Sequence, residues 1–330
     1  MSDGRALLGP DRLRMDAVAL LYVIANAAAA QSGGGVYLLF PGVAALSHDT
    51  LTRPWGKWAS QPGRLVVTPV LGAAIGTLVT REFPYNVLTI LLVVIACLLL
   101  LILLRSNIAP AIAAGALPLV LGIKSWLYPA SIALGLLVLV TILAPWKKHY
   151  RRKYQDTSAV STGDLDDHLE ALPGRSKWIA PFFLFLTVMA SCAAFSGFRL
   201  VLIPPLIVIG YEMFAHPASC PWAGKPLALP VACFLTSTGG WLAVSQFGNG
   251  AIAAGCAMVV GIVVLRALKL HMPPALAIGL LPLVIDSPDI DYPISVSIGA
   301  VALTAAFLLY RRWIIGRCCA GEDISSWNRR

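Results

Sequence analysis

Long apolar runs broken by short clusters of Gly, Pro and charge set the pattern of this chain. They cover about 16–31, 65–80, 86–104 and 128–146, then about 178–195, 227–243, 250–268 and 292–310. With helical flanks, each approaches the roughly 20 residues that cross a hydrocarbon core. Leu, Ile, Val and Ala follow one another without the period-two alternation of a barrel strand, and lipid-facing backbone must bond within its own segment, so the predicted elements are helices. Shorter apolar pieces lie between them: Gly33–Pro41, Gly197–Pro205, one opening at Asn107-Ile108-Ala109-Pro110 and one at His271-Met272-Pro273-Pro274. They are too short to span and predict re-entrant or half helices.

The chain repeats itself. At an offset of 164 residues, Pro110-Ala111-Ile112-Ala113-Ala114-Gly115 falls on Pro274-Ala275-Leu276-Ala277-Ile278-Gly279. The match runs without a gap through Tyr128-Pro129 on Tyr292-Pro293, with 13 identities over the 30 positions from 110 to 139. The same offset places Ser32-Gly33 on Ser196-Gly197, Pro41 on Pro205 and Gly76 on Gly240. The expected fold class is therefore an all-α polytopic membrane protein of two repeats, each with about four transmembrane helices and short re-entrant or half helices.

Composition narrows the class. The 330 residues are 58% hydrophobic and only 12% charged, against about 25% charged in soluble domains. This excludes a disordered chain, a nucleic-acid module and an ordinary soluble enzyme. The net charge of +9 follows from three cationic clusters, all read as loops: Arg5, Arg12 and Arg14; Lys147 to Lys153; and Arg311, Arg312, Arg317, Arg329 and Arg330. Cations of this kind mark the cytoplasmic side, so both termini are expected there, in a cell membrane. Each half then crosses an even number of times, which makes the repeats parallel. The expected division is a tail over 1–15, repeat 1 over 16–146, a basic linker over 147–177, repeat 2 over 178–310 and a basic tail over 311–330. One segment resists: with four spans per half, Arg53, Lys57 and Arg64 land on the opposite side.

No leader with a cleavage site is read at the start, so residues 16–31 are taken as a retained span. The seven cysteines show no CxxC or Cys/His spacing and read as reduced thiols; Cys318-Cys319 are inert or, beside Arg317, palmitoylated. Within the linker, residues 161–170 predict a short capped helix with His168 on a solvated face. No metal or cofactor is expected.

Candidate chemistry gathers where helices break. Proline suits a first helical turn, so Pro110 and Pro274, with Pro273 before it, predict half helices whose free amides and positive dipole ends face the repeat interface and suit a small anion. Asn107 and His271 precede these starts at equivalent places. His271 reads either as a ligand or gating group or as a capping and packing histidine. Ser32, Gly33, Ser196 and Gly197 belong to the paired small-residue breaks. Arg199 beside them is a buried functional cation or one that snorkels to the interface. Arg64, Arg105, Lys225, Arg266 and Lys269 read as anchors at span ends or an anion vestibule. Asp286, Asp289 and Asp291 form a solvated turn or, less simply, a cation site.

The stretch His271-Met272-Pro273-Pro274-Ala275-Leu276-Ala277, its Leu-Pro-Leu run, Tyr292-Pro293 and the span ending at Arg311-Arg312 resemble the HPP family of integral membrane proteins. Ser32 to Phe40, leading to Gln61-Pro62-Gly63-Arg64, is similar to that family's small-residue segment and following loop. The family has four spans per chain, so the resemblance implies two fused units. Its link to nitrite uptake implies small-anion transport. Met272 interrupts the His-Pro-Pro triad, and the first half has Asn107 and Pro110 in its place.

The expected function is a transporter or channel for a small solute, a nitrite-like inorganic anion, with its site between the repeats. The chain is expected not to be an enzyme. Its expected partners are that solute and the lipid bilayer, with no nucleic acid and with a homo-oligomer open. The rivals are an accessory subunit of a membrane complex and a membrane enzyme acting on a lipid or prenyl substrate.

Overall fold

A computed structural model describes residues 10–32, 40–54, 56–154, 176–217, 220, 222 and 224–318. Gly33, most of the linker and both extreme tails lie outside the described residues. The helices are α1 (Pro10–Ser32), α2 (Gly42–Thr52), α3 (Lys57–Ser60), α4 (Pro62–Glu82), α5 (Val87–Leu103), α6 (Pro110–Leu121) and α7 (Leu127–Tyr154). They continue as α8 (Ile179–Ser196), α9 (Pro204–Ala215), α10 (Ala228–Phe247), α11 (Ala251–Ala267), α12 (Pro274–Leu280) and α13 (Asp291–Cys318). Among the described residues there is no strand. Six helices, α1, α4, α7, α8, α10 and α13, are long and apolar enough to cross a membrane, and α5 and α11 are shorter apolar helices of 17 residues.

Burial sorts the helices into two layers. Every residue of α12, and Pro110 to Val120 of α6, is buried, as is nearly all of α2 and α9. The long helices instead leave half or more of their apolar windows uncovered, with Leu134 and Phe195 exposed, as are Leu88 and Leu103 of α5. Such faces suit lipid. The short helices pack on one another in a ring, α2 on α6, α6 on α9, α9 on α12 and α12 on α2.

Glycine lets the ring seat against the long helices. A Cβ on Gly76 would strike the carbonyl oxygen of Gly115, and one on Gly240 would strike that of Gly279. Gly72 meets Ala111 four residues earlier on both helices, so α4 and α6 run in the same direction. Tyrosine then ties the next helix: the Tyr128 hydroxyl donates to the Ala114 carbonyl and Tyr292 to Ile278, each 14 residues back.

The contacts also orient the ends. Along α1 and α11, Gln31 lies by Gly250, Ile24 by Gly255 and Asp16 by Arg266, an antiparallel pair. At the other end of α7, Trp146 Nε1 donates to Leu51 O and Lys147 Nζ to Ala59 O. Thus α2 runs towards the end where α1 starts and α7 finishes, here the tail end. This places Arg53 and Arg64 at the tail end and not across from it, because α2 adds a broken crossing to each count. The short segments are also displaced from their expected places. The helix follows the proline, at 42–52 and 204–215, while Arg199–Leu202 forms only a 3₁₀ turn. The basic clusters are not loops: Lys147 to Lys153 prolong α7 and Arg311 to Arg317 prolong α13, since Lys and Arg form helix well and favour its C-terminal end.

Replacing Gly240 by Ala should therefore force α10 and α12 apart and lower stability by roughly 1–3 kcal/mol, whereas Gly63→Ala, with nothing within 4 Å of the added carbon, should leave it unchanged. Thermal unfolding of the purified chain in detergent checks both.

Candidate functional site

The four short helices all begin at one place. Phe40, Pro41 and Gly42 at the start of α2, Pro110 of α6, Pro204 and Pro205 of α9 and Pro274 of α12 line one narrow cleft. Ala45, Ala113, Leu117, Val208, Ala277 and Leu281 also line it. Among the described residues, none in the lining is polar. Proline starts these helices because its fixed φ suits the first turn and its missing N–H leaves no donor to satisfy.

The amide donors expected here are largely used. Ala111 and Ile112 donate to the carbonyls of Ile108 and Ala109, Ala275 and Leu276 to Met272 and Pro273, and Leu206 and Ile207 both to Ile203. Tight turns close each first turn on itself, and the prolines carry no N–H at all. The cleft offers an apolar wall behind which four helix dipoles point inward, and not the ring of open amides that the sequence predicts.

A second centre is polar and lies towards the tail end. Asp16 on α1 receives Arg266 of α11 on one oxygen and His48 Nε2 of α2, at 3.1 Å, on the other. Asp49, next along α2, pairs with Arg53 one turn on and with His271 Nε2 at 3.2 Å. The Asp49 side chain is 1% exposed and that of Asp16 8%, while His271 and Arg266 keep 32% and 42%. Two carboxylates thus face two guanidiniums and two imidazoles, and both clusters join the first half of the chain to the second. Counterparts 164 residues away are Ala180, Glu212, Met213, Pro217, Ile102 and Asn107, so the offset does not reproduce the network.

Of the sequence-predicted residues, Pro110 and Pro274 meet at the cleft and Pro273 is the buried cap of α12. Asn107 gives its carbonyl to Trp58 Nε1 at 3.0 Å, and His271 turns to Asp49. The remainder stand apart. Ser32 is exposed at the end of α1 and bonds its own helix at Ala29. Ser196 and Gly197 are exposed at the end of α8, and Gly197 takes φ +77°, as a helix C-terminus requires. Arg199 is exposed and sits over the Tyr85 ring at 4.7 Å, neither buried nor in the cleft. Burial raises the Tyr85 hydroxyl pKa while Arg199 opposes the shift.

Sequence reasoning missed Asp16 and Asp49, singled out Arg53 only as a misplaced cation, and took Arg266 for an anchor or a vestibule residue. The signal was present: an Asp inside the first span and Asp49 four residues before Arg53 in an apolar segment. The span-end cations Arg64 and Lys225 bond carbonyls past the ends of α5 and α11, at Arg105 and Leu268. Among the described residues no three His, Cys, Asp or Glu converge as a metal site. Comparisons with protein-family models, curated proteins and solved structures found no match, so the likeness to the HPP family rests on the motif residues alone.

Converting Asp49 to Asn should destabilise the chain by about 3 kcal/mol, the low end for breaking a buried pair because its partners retain some solvent. Asp289→Asn, in an exposed turn, should cost nothing. Thermal unfolding in detergent measures the difference.

Proposed function

We propose that this protein is a membrane transporter or channel for a small inorganic anion, nitrite-like in size and hydration, which passes through the cleft between two parallel repeats. The observation that carries the reading is the convergence of four buried, proline-started half helices on one cleft. Breaks in helical backbone at membrane depth are tolerated where protein or a solute path encloses them, and paired broken helices are where transporters hold their substrates.

The lining shapes the substrate class. Inward-pointing helix dipoles disfavour cations, while apolar walls offer no replacement for a tightly held hydration shell. A small, weakly hydrated anion fits both conditions better than phosphate, sulfate or a metal ion. The residues that resemble the HPP family point to the same class.

Support for the two repeats comes from contacts that recur at the offset of 164: Gly76 on Gly115 and Gly240 on Gly279, Tyr128 on Ala114 and Tyr292 on Ile278. Lining residues pair in the same way, Phe40 with Pro204, Pro41 with Pro205, Pro110 with Pro274, Ala113 with Ala277 and Leu117 with Leu281. With α2 and α6 as broken crossings, each repeat makes six passes, still an even number. Arg12, Arg53, Arg64, Lys147, Lys225, Arg266 and Lys269 then share the tail end, which we assign to the cytoplasm. An integral position in a cell membrane follows.

Filling the cleft should stop flux. In liposomes containing the purified chain, Ala113→Phe and Ala277→Phe should each lower nitrite uptake roughly tenfold or more, with a loss of stability within the ~1–3 kcal/mol of an overpacked core. Arg199→Ala should leave uptake intact. Nitrite uptake that neither phenylalanine changes would remove the cleft as the path.

A further inference from the structure

We propose that Asp16, His48, Asp49 and His271 form a proton-binding site that couples anion movement to protons, making the protein a proton–anion symporter. The inference rests on the transport reading and adds the coupling ion and its place.

Ionisable groups within a membrane bundle are costly and mark ion or proton pathways. Here they also occupy the joints that would have to move. His48 and Asp49 lie in the last turns of α2, whose other end lines the cleft; His271 stands three residues before Pro274, where α12 begins at the same cleft. Asp16 and Arg266 lie on α1 and α11, which cross between the halves. A proton taken up by either imidazole thus changes contacts made by α2, whose other end lines the cleft.

The charge balance supports this assignment. With both imidazoles neutral, Asp16 and Asp49 offset the paired Arg266 and Arg53, and Arg12 stands nearby as an exposed further cation. One added proton raises the positive charge of the network. On His48 that charge sits in the last turn of α2, favoured by the helix dipole. On His271 it stands by the first turn of α12, where it is unfavourable until an anion enters the cleft. Proton and anion therefore stabilise each other, which is the thermodynamic requirement for coupling.

Among the described residues, Arg12 and Asp16 face the network from α1, Arg53 from α2 itself and Arg266 from α11. Lys147 of α7 bonds the Ala59 carbonyl, and α6 and α12 carry no ionisable side chain. Imidazole is the group whose ordinary titration falls near neutrality.

The test uses liposomes holding the full chain and a trapped pH dye, with protein-free liposomes subtracted for leak of nitrous acid. An inward nitrite gradient should carry protons inward with it, and external acidification from about pH 8 to pH 6 should raise the initial rate roughly tenfold. His271→Asn, which installs the residue found at the equivalent position of the first half, can still bond Asp49 but cannot take a proton. It and His48→Gln should keep the native melting behaviour in detergent and lose the pH response. Nitrite moving without protons in the native chain would overturn the coupling and leave the transport reading standing. Variants that lower the rate while keeping its pH dependence and proton ratio would reduce the network to a structural clamp and overturn it too. If no nitrite moves, the anion reading fails and infrared titration judges the site separately. An imidazole or carboxyl band titrating between about pH 5 and pH 8, absent from the His48→Gln spectrum, supports proton binding; no such band overturns it.

Discussion

A helix that stops inside hydrocarbon leaves backbone polar groups where no water can reach them, and this constraint organises the whole molecule. The structure meets it at both levels. Each short helix closes its first turn on the carbonyls just before it, as Ala111 does on Ile108 and Ala275 on Met272. Each is then enclosed by protein: the long helices form the outer layer and the four short ones the ring within it. Close enclosure demands glycine where backbones touch, at Gly76 against Gly115 and Gly240 against Gly279, and the tyrosine hydroxyls at 128 and 292 donate to the carbonyls of Ala114 and Ile278, four residues before Pro118 and Pro282, which have no N–H to give.

Sealing the breaks has a chemical consequence. Because the first-turn amides are satisfied and the described lining is Pro, Ala, Leu, Val, Phe and Gly, the cleft presents no set of coordinating side chains, and in a transporter it would discriminate by size, dehydration and the field of helix dipoles. Polar work is displaced to the Asp16–His48 and Asp49–His271 pairs, one helical segment away. There the pseudo-equivalence of the halves ends: Met213 stands opposite Asp49 and Asn107 opposite His271. The apolar cleft and the charged cluster are thus separate features of the bundle; under the proposed transport function, one would select the solute and the other control its movement.

The helical class, the long apolar helices and the proline starts of α6 and α12 were legible in the sequence because each is a local signal: apolar run length and proline at a first turn. The same local signals misplaced α9, since Gly197 to Pro205 is apolar enough to read as an element while the helix begins only at Pro204; residues 33–39 of the paired segment lie outside the described residues. Arg53 and Arg64 looked misplaced only because α2 was not counted as a crossing.

Sequence by itself thus determined that the chain is a helical, membrane-type bundle with breaks at Pro110 and Pro274, because hydrophobicity and proline act on the residues that carry them. Only the tertiary structure decided that four breaks share one apolar cleft, that Arg199 lies outside it, and that Asp16 and Asp49, 33 positions apart in the chain, pair with Arg266 and His271 from the other half. Pairing of buried charges depends on which helices are neighbours. That is set by packing across more than 200 residues, over which no local pattern carries information.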